Sequence, residues 1–258
     1  MWNKLWALYK KEIAIIFAMP IAYTVLAVFS VLSGYFFANI VNYYAMVSLR
    51  SMNQYQRMMM DLSMIEGIFR PYFHNVVVIM ILMFPLITMR LFAEEKREGT
   101  VELLFTYPVS DVAIVLSKFF AALTVFAAML GCGLISFLIF RITTAFEILP
   151  VLSGFLGLLL VGASFLALGI FISSLTESQI VAAVISFGVL LLFLILPWLS
   201  QSVGPQAGKV IMELSIVEHF DSFAKGLFDT SDIVYYLIFI TLFLFLTLRI
   251  LETKQWRG

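Results

Sequence analysis

Three stretches of the chain hold residue types that could do chemistry. Gly162-Ala163-Ser164 places a hydroxyl inside a long apolar run, the setting of a buried serine nucleophile. Such a nucleophile needs a base, and neither His74 nor His219 falls in the body of a later apolar run. No H-E-x-x-H and no pair of membrane aspartates stands in for one. Gly204-Pro205-Gln206-Ala207-Gly208-Lys209-Val210 approaches a phosphate-cradling loop, but its first glycine is one residue too close and Val210 offers magnesium no hydroxyl. The third stretch is thioether-rich: Met46, Met52, Met58, Met59, Met60 and Met64 could hold Cu(I). Met60 and Met64 at helical spacing fit an amphipathic face equally well, and we read them as adaptable apolar filler. A single cysteine, Cys132, and two histidines exclude a disulfide framework and a multi-Cys or multi-His metal cage within one copy. No catalytic, cofactor-binding or metal-ligating residue is therefore expected, and any energy from ATP must come from another polypeptide.

The remaining concentration of chemistry lies between Arg90 and Lys118, in the segment 92–110. Glu94, Glu95, Lys96, Arg97 and Glu98 extend an apolar helix into water, and Gly99 permits a sharp reversal. A short helix is expected next, with Thr100 as cap and Glu102 in the first turn, where the helix dipole favours an anion. Pro108 stops it before Ser110-Asp111 opens the following helix. That helix would show Val101, Leu104 and Phe105 on one side, an apolar ridge suited to a partner's groove. The competing reading is a hairpin that merely lies on a membrane surface.

The elements that must position this segment follow from composition. Of 258 residues, 62% are apolar and 12% charged, against about half and about a quarter in soluble domains. Together with a mean hydropathy of +1.04, this rules out a water-soluble globule. Sixteen basic and sixteen acidic residues leave no net charge, so nothing points to nucleic acid. A bilayer core needs roughly 20 apolar residues per helix. Six runs qualify, at about 13–38, 72–89, 112–140, 148–172, 180–199 and 233–248, and no alternating strand pattern suggests a barrel. The expectation is an all-α polytopic membrane protein with one domain over 1–258.

Residues 1–12, with Trp2, Leu5, Trp6 and Tyr9 at helical spacing, read as an interfacial helix. A secretory signal is the rival, but the apolar run after Lys11 is too long and no A-x-A site closes it. With both termini inside, the inner side collects ten Lys and Arg against six outside. The long connections 39–71 and 200–232 then lie outside, the second with apolar Leu214, Val217, Phe220, Phe223 and Leu227 among charges, as in short amphipathic helices. The spans are nearly bare of ionisable groups, which disfavours a proton- or ion-coupled carrier. His74 and Lys118 lie near span ends and are expected to snorkel to the interface. Small residues such as Ala163 and Ala167, Gly169 and Ser173, or Ala182 and Ser186 read as close helix contacts.

EEKREGTVELLFTYPVSDVAIVLSK, residues 94–118, resembles the hallmark of the permease subunits of ABC-2 type transporters. SSLTESQ at 173–179 is similar to that family's second inner contact, and EHFDSFAKGLFDTSDIVYY at 218–236 to its outer segment. FRPYF at 69–73 with MRLFAEEKREGT at 89–100 is most similar to gliding-motility-type permeases, with nitrous-oxide-reductase maturation permeases as relatives. The resemblance implies an ABC-2 exporter fold and a homodimer or pseudo-dimer, each subunit docked through a cytoplasmic coupling helix on a separate ABC ATPase that holds the ATP and magnesium. It carries over to Glu94, Glu95, Arg97, Glu98, Gly99, Thr100, Glu102, Leu103 and Leu104 for the first inner contact, and to Ser174, Thr176 and Ser178 for the second. An auxiliary subunit with a large outer domain, and residence in a bacterial inner membrane, are further implications. A mechanical platform acting on an outer partner, without moving a solute, is the alternative function.

Overall fold

The computed structural model describes residues 2–50, 63–100 and 109–255. Pro20 governs the first corner. Lacking an N–H, proline is tolerated only in the first turn of a helix, where no intrahelical partner is needed. Helix α1 (Trp2–Ala18) therefore ends at the residues before it, and α2 (Pro20–Arg50) starts anew. The boundary expected near residue 12 is thus displaced to Met19, and the first long apolar helix runs to Arg50 rather than stopping near 38. A π-helical turn, Ile65–Phe69, leads into α3 (Arg70–Thr88), with Pro71 in its first turn.

After α3 come a short α4 (Ala93–Arg97), then α5 (Asp111–Thr143), α6 (Ile148–Leu175) and α7 (Gln179–Ser202). The connection after α7 folds into α8 (Pro205–Glu213) and α9 (Ile216–Ala224) before α10 (Thr230–Gln255). Among the described residues six stretches are long and apolar enough to cross a membrane: 20–49, 65–97, 111–143, 148–175, 179–200 and 230–253. No strand occurs among the described residues. This is the all-α, six-span architecture expected from composition.

Helix α6 sits at the centre. Of its most apolar window 72% is buried, against 17% for α7 and 22% for α10. Glycine makes that position accessible: a Cβ on Gly154 would lie 2.0 Å from the Phe73 ring, and one on Gly169 would lie 2.3 Å from the Thr88 hydroxyl. Side chains of α3 thus rest directly on the α6 backbone, the small-residue packing that apolar solvents favour. Above this seam Phe37, Tyr72, Phe73, Phe137 and Phe155 stack edge to face, and the Ser33 and Tyr72 hydroxyls share a buried hydrogen bond of 2.7 Å.

Helix α9 is fastened to the same seam. Ser215 caps α9 by accepting from the Glu218 N–H at 3.3 Å, which turns Phe220 and Phe223 fully inward. Leu214 and Leu227, expected on the same apolar face, are exposed because they lie beyond the two ends of α9. Arg70 of α3 grips Asp221 of α9 with two bonds, 2.8 and 3.0 Å, while Glu66 accepts from Arg70 at 2.8 Å and Lys225 pairs with Asp221 at 2.6 Å.

Candidate functional site

The connection between α3 and α5 is built from the foot of the α3–α6 seam. Helix α3 stops at Thr88, and one side chain of α6 organises the bend that follows. The Ser173 hydroxyl donates to the Met89 carbonyl and accepts from the N–H groups of Phe92 and Ala93, each at 3.1 Å. Backbone groups left over between two helices are thereby satisfied without water. Helix α4 then stands on this corner with Phe92 and Ala93 buried beneath it. Arg90 pairs with Glu94 at 3.1 Å, and the Lys96 ammonium donates to the carbonyl of Ser174.

At the far end of α4 the chain reverses through Gly99, whose φ is +68°. That left-handed value suits glycine, because other L-residues bring Cβ against the carbonyl there. The Thr100 hydroxyl donates back to the Glu95 carbonyl at 3.2 Å. Arg97, Glu98 and Gly99 are exposed at this tip. Val101, Glu102, Leu103, Leu104 and Phe105 lie outside the described residues, so the apolar ridge expected on them has no structural account.

The second stretch, between α6 and α7, is short and capped from within. The Thr176 hydroxyl accepts from the Ser178 N–H at 3.1 Å, and the Ser178 hydroxyl caps α7 by accepting from Val181 at 3.4 Å. Leu175, Glu177 and Ser178 face outward. Ser174 is fully buried: its hydroxyl donates to Phe171 at 2.6 Å and its carbonyl receives Lys96, so its contacts are internal. Because Lys96 reaches Ser174, the structure holds the two predicted stretches together at one end of the molecule.

Lys118 requires a correction. Expected to snorkel, it is instead 1% exposed. Its ammonium lies 2.7 Å from Glu95 Oε1, 3.1 Å from Glu12 Oε2 and 5.2 Å over the Phe92 ring. Glu12 is 4% exposed. Helices α1 and α4 close over the foot of α5, and two carboxylates with an aromatic face replace the water that a buried ammonium loses. Glu12 was missed as a member of the site, and Ser173, although inside the 173–179 stretch, was not singled out, since their partners are 106 and about 80 residues away in sequence. A lone lysine within a long apolar run, with unpaired glutamates at the ends of neighbouring helices, was the available signal.

Other sequence candidates resolve simply. The Ser164 hydroxyl is buried and donates to the Leu160 carbonyl at 3.0 Å, as an intrahelical bond. Residues 205–210 form the start of α8, with Lys209 exposed. His74 is half-buried beside Asp221, at 3.7 Å, and its ring Nδ1 is bonded to the Arg70 carbonyl. Among the described residues no group of three or more His, Cys, Asp or Glu could hold a metal ion. Met52, Met58, Met59 and Met60 lie outside them.

Six apolar helices among the described residues, the glycine-bearing α6 innermost, with polar brackets at both ends, define a multi-pass membrane component. A family model described as ABC-2 family transporter protein matches residues 6–256, and the chain belongs to that family. It is a membrane permease component of an ABC transporter, a class that partners an ABC ATPase and is generally not itself catalytic. No curated protein matches the chain.

Proposed function

We propose that ATP binding and hydrolysis in a separate cytoplasmic ABC ATPase, which holds the ATP and magnesium, drive this chain through its inner connection. The contact comprises Glu94, Glu95, Arg97, Glu98, Gly99, Thr100, Val101, Glu102, Leu103, Leu104 and Phe105, with Thr176 and Ser178 beside them and Ser174 supporting from within. The observation that carries the reading is the bracket itself. The Ser173 hydroxyl and the Lys96–Ser174 bond fix α4 to the most buried helix, while the tip at Arg97, Glu98 and Gly99 stays exposed. A lever stiff at its root and open at its end transmits a partner's displacement instead of absorbing it.

In this reading the 258 residues act as one domain, in a homodimer in a bacterial inner membrane, both termini cytoplasmic. The similarity of 69–73 and 89–100 to gliding-motility-type permeases supports an auxiliary subunit with a large outer domain. Purification of tagged chain from native membranes tests the proposal. An ABC ATPase copurifies with the wild type and is lost with Leu104→Asp or Phe105→Asp. Unchanged recovery of the ATPase in both variants overturns the assignment of this contact.

A second reading is favoured by one observation. Arg70 and Asp221 pin the outer helix α9 to α3, which also carries the inner bracket. Motion at the inner tip would therefore reach the outer surface, as a mechanical or assembly platform requires. Reconstituted vesicles separate the two readings: ATP-dependent solute or lipid movement by the complex supports transport, and its absence beside ATP-dependent release of an outer partner supports the platform.

A further inference from the structure

A cavity of about 850 Å³ opens between α1, the start of α2, the end of α3 and the start of α5, well within the range of about 300–1,000 Å³ typical of small-molecule sites. Its walls change character along its length. One end is lined by Val25, Ile87 and Val125. The other holds the buried Glu12–Lys118–Glu95 group, with Lys11 and Glu98 exposed at the rim. Val125 is seven residues beyond Lys118 on α5, about 10 Å further along the helix axis.

We propose that this cavity binds a membrane phospholipid with a zwitterionic, primary-ammonium headgroup of the phosphatidylethanolamine type. The polarity gradient matches a lipid standing in a leaflet, tail beside the α2 and α3 side chains and head at the membrane surface beside α1. That match holds whichever side of the membrane the termini occupy, and it does not depend on the ATPase reading.

Charge selects the headgroup. The described lining carries four cationic side chains and four carboxylates, so it offers no net attraction to an anionic lipid. Within it the charges are segregated. Lys118 bonds both Glu12 and Glu95, so these three residues together carry one formal negative charge in excess. A ligand ammonium completes that balance with charge-assisted N–H bonds. Lys11, on the rim of α1, is placed for a phosphate. A quaternary ammonium has the charge but no N–H, and a glycerol headgroup has neither.

The test is native mass spectrometry of the full chain in detergent with an equimolar mixture of phosphatidylethanolamine, phosphatidylglycerol and phosphatidylcholine of identical acyl chains. Phosphatidylethanolamine adducts should exceed each of the others by about tenfold, the worth of one charge-assisted hydrogen bond. Lys11→Glu, at an exposed position, should cut those adducts severalfold. Ile87→Trp, which narrows the apolar end, should lower adducts of all three lipids together. Equal adducts among the headgroups, or a preference for phosphatidylglycerol or phosphatidylcholine, overturns the proposal. So does indifference of the adducts to both substitutions. The wild-type ranking decides the matter even where a variant fails to fold.

Discussion

Replacing Lys118 by methionine keeps most of its apolar stem and removes only the ammonium, so the change isolates the buried ion group. Two carboxylates, at 2.7 and 3.1 Å from that ammonium, then face each other in a site where Glu12 is 4% exposed. Removing one partner of a buried pair costs about 3–5 kcal/mol, mostly as the penalty of the charge left behind. For a chain of this length that is a fall in Tm of roughly 10 °C. A snorkelling lysine would behave otherwise, because substitutions at an interface away from such features stay within about 0.5 kcal/mol. The assay is thermal unfolding of purified protein in detergent, followed by intrinsic fluorescence. Lys10→Met, at an exposed position of α1, is the control and should melt like wild type. The triple variant Lys118→Met/Glu12→Gln/Glu95→Gln should recover most of the loss, since replacing a whole buried ion group is often neutral while breaking it is not. Lys118→Met melting together with Lys10→Met refutes the buried-triad account, and failure of the triple variant to recover refutes its electrostatic origin.

Three further outcomes follow from the brackets. Gly99→Val should cost about 1–3 kcal/mol through its φ of +68° alone, because nothing lies within 4 Å of the added Cβ; copurifying ATPase should fall, and Gly99→Asn should retain more of it than valine does. Gly169→Ala drives a Cβ to 2.3 Å from the Thr88 hydroxyl and should destabilise by about 1–3 kcal/mol, with partial recovery in Gly169→Ala/Thr88→Ala; a fully stable single variant contradicts the close approach of α3 and α6. Burial pushes the Asp221 carboxyl up, but Lys225 and Arg70 outweigh it and hold the group below the usual carboxylate range. A carboxyl lowered in the folded state stabilises above its unfolded value of about 4, and that contribution is lost as pH falls through the folded value. The gap in Tm between wild type and Asp221→Asn should therefore be full at pH 6 and shrink below pH 4, and a gap independent of pH counts against the Arg70–Asp221 clasp.

The sequence yields the six spans because the bilayer demands about 20 apolar residues wherever a helix crosses, and that demand is local. Which span lies innermost is not local. All six are apolar, so composition cannot separate α6, 72% buried in its core window, from α7, 17% buried. The distinction sits in glycines such as Gly154 and Gly169, whose meaning appears only once Phe73 and Thr88 are seen resting on them. Charge poses the same problem in reverse. The run from Glu94 to Glu98 reads as solvated, and for Arg97 and Glu98 it is. Glu95 turns inward because a lysine 23 residues away lies beneath it and a glutamate 106 residues from that lysine completes the group. A helical period places Glu95 and Glu98 on neighbouring faces, but only the closure of α1 over α5 decides which face is dry. The root of the inner bracket is therefore set by long-range pairing, whereas its exposed tip follows from one glycine and the charges before it. Substitutions at the root should report as stability and those at the tip as partner binding, and that division separates a rigid lever from a surface loop.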